Sequence, residues 1–160
     1  MKHSASGPQD ADALMREAVA LHQSGDLDGA ASRYLAVLAR RPQDPDALHL
    51  SGLAALQRGA PGEAARRIGQ AVALQPANPM FRVNLANALE GLGDPVEAEA
   101  MLRAAIRCDP KFISAHCNLG HLLLRTGRAA EALTEYETSL AIDSRRNDIL
   151  LAAARVLLGL

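Results

Sequence analysis

A spacing of 34 residues recurs throughout this sequence. Four glycines lie at this interval, at Gly25, Gly59, Gly93 and Gly127. An alanine follows each glycine five residues later, at Ala30, Ala64, Ala98 and Ala132. Self-similarity at a fixed interval of this size is the signature of tandem structural repeats. We therefore interpret the chain as an array of similar units that stack on their neighbours.

Each repeat is predicted to contain two amphipathic helices. Apolar and small residues recur three and four positions apart, as in Leu14, Ala18 and Leu21, which places them on one helical face. The sequence is rich in alanine and leucine and has only 2% aromatic residues, a composition that favours helix over strand. The sequence therefore predicts a series of helical hairpins.

The ends of these helices are marked by turn-forming residues. The repeated glycines can adopt the left-handed conformation that ends a first helix. Asp26 and Asp94 are positioned to cap the second helix, while Pro61 and Pro95 suit its first turn. A column of small residues, Ala18, Gly52, Ala86 and Gly120, would let the two helices of a hairpin approach closely. Prolines end the second helix in three repeats, at Pro42, Pro76 and Pro110.

A 34-residue helix-turn-helix unit with a small residue, a turn glycine, an alanine and a terminal proline resembles the tetratricopeptide repeat (TPR). The resemblance implies an all-α fold, a right-handed α-solenoid of tandem helix-turn-helix repeats. We expect a disordered N-terminal tail over residues 1–10, and the first helix of a fifth unit or a capping helix over residues 147–160. Four full units are expected between them, over residues 11–44, 45–78, 79–112 and 113–146.

The family resemblance also implies a concave groove, lined by the first helix of each repeat, that binds an extended peptide or a partner helix. Asn84 and Asn118 lie one repeat apart and resemble the asparagine ladder in the superhelix of O-GlcNAc transferase. The alternative is that they are ordinary solvated residues. The groove positions carried over by the 34-residue offset are Arg16, Val19, His49, Leu50, Leu53, Met80, Val83, Asn84, Asn87, Cys117, Asn118, His121 and Arg125.

Some TPR domains hold acidic C-terminal peptides with a carboxylate clamp, which we do not expect here. The clamp requires lysine and arginine where this chain has Met15, Met80 and Asn84. It also requires asparagine where this chain has Val19 and Leu50. Without those cations, a terminal carboxylate would lose its charge-assisted hydrogen bonds.

The sequence favours a binding protein over an enzyme. Cys117 and His121 are four residues apart on one helical face, but no further residues complete a nucleophilic or metal site, so we expect no catalytic residue, metal or other cofactor. A net charge of −1 argues against a nucleic-acid partner. No run of eighteen apolar residues or signal sequence occurs, and there are only two cysteines, which together predict a cytoplasmic protein without membrane insertion.

The last predicted helix is apolar around most of its circumference. An outermost helix that only capped a stack should have a polar outer face. We therefore expect either that further repeats follow or that this face pairs with another copy or a partner, so a homo-oligomer is one interpretation. The residues assigned to self-association or continuation are Leu151, Leu157, Leu158 and Leu160.

These features predict a protein-protein interaction scaffold whose partner is a protein or peptide. One alternative is a substrate-recruiting TPR arm of a larger bacterial enzyme, such as one similar to an O-GlcNAc transferase. A self-assembling scaffold is the other. The abundance of alanine and arginine, with only Lys2 and Lys111 as lysines, is typical of a GC-rich bacterial genome.

Overall fold

The computed structural model describes residues 8–159 of the chain. These residues form helices joined by short turns, and they fall into two compact units, one ending at Pro76 and the other beginning at Ala77. The described residues contain no strand. The predicted all-α fold of tandem helix-turn-helix repeats is confirmed.

The first unit consists of two helical hairpins. Its helices are α1 (Pro8–Ser24), α2 (Leu27–Arg40), α3 (Pro45–Gln57) and α4 (Pro61–Leu74). Helix α1 begins at Pro8, so the last three residues of the predicted disordered tail are helical instead. The other seven residues of that tail lie outside the described residues.

The second unit contains two further hairpins and one additional helix. Its helices are α5 (Pro79–Gly91), α6 (Pro95–Cys108), α7 (Ile113–Arg125), α8 (Ala129–Ile142) and α9 (Asn147–Leu158). The starts of α3, α5, α7 and α9 are spaced by 34 residues, as are those of α4, α6 and α8. The repeat in the sequence is therefore a repeat in the backbone.

Polar side chains cap several helices at their N-termini, where four backbone N–H groups lack a partner within the helix. The Asp26 carboxylate accepts a hydrogen bond from the Gly29 N–H at 2.9 Å, and Asp94 accepts from Glu97 N–H at 3.1 Å. Asp44 and Asn78 cap α3 and α5 in the same way. Both are followed by a proline in the first turn, where the missing N–H costs nothing.

The hairpin turns depend on glycine. Gly25, Gly59, Gly93 and Gly127 all have positive φ, between 76° and 85°. A side chain there would be strained, because residues with a Cβ rarely adopt this conformation. The predicted role of these glycines in ending the first helices is confirmed.

Two glycines inside helices have a different role, which is to bring two helices together. A Cβ on Gly120 would lie 2.4 Å from Cε1 of Tyr136, and one on Gly52 would lie 2.5 Å from Cγ1 of Ile68. Both distances are far shorter than real carbon contacts. The large residue of each second helix thus fills the space left by a small residue of the first, as the column of small residues predicted.

The buried His116 on α7 has a structural role. One ring nitrogen lies 2.7 Å from Oε2 of Glu135 on α8, and the other lies 2.9 Å from the carbonyl oxygen of Pro110. Both partners of this buried ring are hydrogen-bond acceptors, so a neutral imidazole donates its one N–H to either of them. The His116 side chain therefore connects α7 to α8 and to the turn that precedes α7.

Candidate functional site

Three half-buried asparagines lie on α5 and α7, which are the first helices of the two hairpins in the second unit. Asn84 and Asn87 are three residues apart on α5, which places them on one helical face. Asn118 on α7 donates a hydrogen bond from its Nδ2 to Oδ1 of Asn87 at 3.0 Å. We call these three side chains the amide face.

The hydrogen bond of Asn118 joins it to a residue three positions after its repeat equivalent. The 34-residue offset pairs Asn118 with Asn84, but its hydrogen bond is with Asn87, which is 31 residues away. The difference is close to one helical turn. The interpretation of Asn84 and Asn118 as two rungs of an asparagine ladder stays a prediction.

An ion pair flanks the amide face at the C-terminal ends of the same helices. Nη2 of Arg125 on α7 lies 2.8 Å from Oε2 of Glu90 on α5. The arginine side chain is 61% exposed, whereas that of the glutamate is 16% exposed. Glu90 was not predicted as a site residue. Its position one turn beyond Asn87, on the same helical face, was the signal that could have identified it.

Two other predicted groove residues of the second unit are exposed. Met80 is 50% exposed at the start of α5. The exposed His121 ring packs against Tyr136 of α8, with ring centroids 5.5 Å apart and the planes inclined at 61°. His121 therefore combines an exposed edge with a contact to the second helix of its own repeat.

Three predicted groove residues are buried and do not form an open surface. Val83 and His49 are each 5% exposed, and Cys117 is 4% exposed. The Sγ atom of Cys117 lies 3.0 Å from Oγ of Ser139 on α8, so this side chain faces its own hairpin partner. Its assignment to the groove is corrected, because a residue next to a groove position on a helix points about 100° away from it.

The predicted groove residues of the first unit are less polar. Arg16 on α1 is exposed, while Val19, Leu50 and Leu53 are half-buried. Val19 and Leu50 pack against a small core around Tyr34. The buried His49 has a pKa below the usual value because burial disfavours the imidazolium, and the nearby Asp46 carboxylate partly opposes this shift.

The contacts of Cys117 and His121 oppose a shared chemical role for these two side chains. The thiol is directed to Ser139, and the imidazole lies against Tyr136. Over the part of the chain that the structure describes, no three His, Cys, Asp or Glu residues are grouped as metal ligands. No helix in residues 8–159 has the length and apolar character needed to cross a bilayer.

The predicted self-association residues of α9 have their side chains in solvent. Leu151 is 64% exposed, and Leu157 and Leu158 are each 70% exposed. The fourth predicted residue, Leu160, lies outside the described residues.

Solved structures with the same arrangement of helices are TPR proteins. A crystal structure of MamA protein is 21% identical, covers 93% of this chain and 81% of its own chain, and has a TM-score of 0.82. The first TPR of Spaghetti, bound to an HSP90 peptide, is 20% identical over 73% of this chain and 95% of its own, with a TM-score of 0.70. These two likenesses show the fold.

An O-GlcNAc transferase mutant of Thermobaculum terrenum is also similar. It is 29% identical over 79% of this chain, with a TM-score of 0.70. The matched region is 26% of that enzyme chain. No curated protein sequence gave a significant match to this chain.

Family models give a direct sequence assignment. Three models, each described as tetratricopeptide repeat, match residues 3–45, 55–119 and 113–138. Together they cover more than half of the chain, and the described residues that they span form helical hairpins that repeat every 34 residues. This chain belongs to the tetratricopeptide repeat family.

Proposed function

We propose that this chain is a protein-interaction scaffold without catalytic residues of its own, and that the amide face binds the backbone of an extended peptide. The observation that carries this proposal is the hydrogen bond between Asn118 and Asn87. It fixes two side-chain amides side by side on neighbouring first helices.

The bonded amides retain groups that a peptide backbone needs. Each asparagine amide has two N–H donors and an oxygen with two acceptor sites. The bond between them uses one N–H of Asn118 and one acceptor site of Asn87. The pair therefore still has N–H groups for a backbone carbonyl and oxygen sites for a backbone N–H.

The geometry also lowers the cost of binding. Side chains that are free in solution lose rotamer freedom when a ligand immobilises them. Asn87 and Asn118 are already oriented by each other and are half-buried. The binding of a peptide on this face would therefore cause a smaller loss of side-chain conformational entropy in the protein.

Charge near the amide face is balanced. The exposed Arg125 is paired with Glu90, so the two first helices of the second unit present no unpaired cation at this point. A strongly acidic peptide would have to compete with the Glu90 carboxylate for this guanidinium. We propose recognition through backbone polar groups, with apolar contacts from Met80 at the start of α5.

A library of displayed peptides, selected against the full chain, would test this proposal. Binding of selected peptides would be measured by fluorescence anisotropy against wild type and Asn87→Ala/Asn118→Ala. We expect at least a tenfold loss of affinity for the double variant, with unchanged helicity by circular dichroism. Gln70→Ala, an exposed amide on α4 of the first unit, is the matched control and should bind as wild type does.

Backbone N-methylation of the selected peptide distinguishes backbone recognition from side-chain recognition. Methylation at one or two central positions should remove binding, because it removes the N–H that the amides accept. Peptides that tolerate every methylation but lose affinity when their charges are removed would contradict the proposal.

A substrate-recruiting arm of a larger enzyme is a second proposal. It is favoured by the 29% identity to the O-GlcNAc transferase mutant, of whose chain the match spans 26%. The mass of the natural gene product in its bacterial host would test it, because a catalytic domain would add tens of kilodaltons. A product without such a domain would contradict this second proposal alone.

We also propose that the protein acts in the cytoplasm. Cys108 is exposed and Cys117 is buried, and neither forms a disulfide. Cysteines remain outside disulfides in a reducing compartment. Fractionation of the host with an antibody to this chain would test the location.

A further inference from the structure

Helix α9 presents a continuous apolar surface to solvent. Leu150 is 46% exposed, and the exposure of Leu151, Leu157 and Leu158 is between 64% and 70%. We call these four leucines, with the exposed Ala154 between them, the leucine face. The opposite side of the helix is anchored in the core, where Ile149 is fully buried and Ala153 is 7% exposed.

The preceding repeat shows what such a surface normally contacts. The residues 34 positions before Leu150, Leu151 and Ala154 are equivalent residues on α7, namely His116, Cys117 and Gly120. These three pack against Glu135, Ser139 and Tyr136 of α8. The leucine face therefore occupies the surface that, one repeat earlier, is covered by the second helix of the hairpin.

The leucines are arranged symmetrically about Ala154. Leu150 and Leu158 are four residues to either side of it, and Leu151 and Leu157 are three residues to either side. Positions three and four apart share a helical face. The pattern is therefore the same when the helix is read in the opposite direction.

We propose that a second copy of this chain covers the leucine face, with the two α9 helices antiparallel and crossing at Ala154. In this arrangement Leu150 meets Leu158 of the other copy, and Leu151 meets Leu157. A twofold interface must be self-complementary, and a palindromic face satisfies that condition directly. The second helix of a further repeat would require no such symmetry.

Side-chain size and charge agree with this pairing. Alanine at the crossing point lets two helix axes approach closely, as Gly120 does for α7 and α8. Between Ile149 and Leu158 the only charged residue is Arg155, which is exposed beside the crossing point. A face without acidic or basic side chains can be buried without an unpaired charge.

The size of the interface predicts reversible association. Two helices of 12 residues bury less surface than the roughly 1,600 Å² of a standard interface. We therefore expect a dimer that dissociates on dilution into the low micromolar range. Sedimentation velocity of the full chain over a concentration series would measure its dissociation constant.

Substitution of the leucine face gives the first test. Leu151→Glu/Leu158→Glu should raise the dissociation constant at least 100-fold, with unchanged helicity. The matched control is Leu92→Glu/Val96→Glu, which alters two residues of the same unit that are 51% and 77% exposed. The control should dimerise as wild type does.

Cross-linking tests the crossing point with a conservative change. In a Cys108→Ser background, Ala154→Cys should form a disulfide-linked dimer under mild oxidation. Asn147→Cys should not, because seven residues at 1.5 Å rise place the two copies of this position about 20 Å apart. A chain that stays monomeric at several hundred micromolar, an unchanged dimer in the Leu→Glu variant, or equal cross-linking at both positions would overturn the proposal.

Discussion

The hydroxyl of Tyr34 lies 3.2 Å from Nδ1 of His22, and Nε2 of the same imidazole lies 3.0 Å from Oε1 of Gln57. Because an amide oxygen can only accept, the proton of a neutral ring belongs on Nε2, and Nδ1 then accepts from the tyrosine hydroxyl. Tyr136 is the equivalent residue three repeats later, but Leu124 stands where His22 would be. The Tyr136 hydroxyl is buried and has no hydrogen-bond partner among the described residues.

These two tyrosines predict opposite responses to the same substitution. Tyr34→Phe removes a hydrogen bond and leaves Nδ1 of His22 without its partner, so we expect a loss of about 1 kcal/mol in the free energy of unfolding. Tyr136→Phe removes a buried group that has no partner, so it should be neutral or stabilising. Urea unfolding of both variants tests this contrast, and an equal loss in both would contradict it.

Two helical glycines predict a second contrast. Gly120→Ala forces a methyl group against the Tyr136 ring, and we expect a loss of about 2 kcal/mol from overpacking. Gly69, within α4, has no atom within 4 Å of the position its Cβ would take. Gly69→Ala should therefore stabilise the protein by about 0.5–1 kcal/mol through helix propensity. Thermal unfolding followed at 222 nm should show a loss of stability for Gly120→Ala and a gain for Gly69→Ala. A Gly120→Ala variant as stable as wild type would contradict the stabilising role of this close packing.

Most of the fold could be predicted because each repeat carries the same local signals. Gly25 and Gly93 sit at turns that require positive φ, and Asp26 and Asp94 cap the helices that follow. Each of these effects acts over only a few residues, so the sequence is sufficient to locate it. Repetition at a fixed interval then adds the stacking order.

The details of the candidate site depend on how neighbouring helices slide and rotate, which local signals do not determine. The 34-residue offset identifies equivalent positions, but equivalent residues need not touch. Asn118, for example, donates a hydrogen bond to Asn87, which lies three residues beyond its repeat equivalent. Cys117 is assigned wrongly for a similar reason, since its neighbour Asn118 belongs to the amide face while the thiol turns towards Ser139.

Burial of His49 predicts a dependence of stability on pH. Its pKa is lower in the folded state, so below about pH 6.5 the unfolded chain binds a proton that the folded chain does not. The free energy of unfolding should therefore fall as the pH decreases from that value towards the folded pKa. His49→Gln should give a flatter profile between pH 7 and 5 in urea titrations.

Asp46 supplies the control for this pH dependence. Its carboxylate raises the pKa of His49 and so opposes the effect of burial. Asp46→Asn should lower the folded pKa further and make the acid loss of stability steeper. If both variants have the wild-type slope, burial of His49 is not the origin of the dependence.

Acidic C-terminal peptides should not bind this chain tightly, although a TPR domain of the same fold is bound to an HSP90 peptide. Met15 and Met80 are apolar, and the other expected cation position holds Asn84. A neutral site cannot offer the charge-assisted hydrogen bonds that hold a terminal carboxylate.

Anisotropy titrations with such a peptide should give a dissociation constant above about 100 μM. This constant should change little between low and high salt. The Spaghetti domain serves as the positive control in the same assay. Tight binding that weakens steeply with added salt would show instead that cations elsewhere on this chain hold the carboxylate.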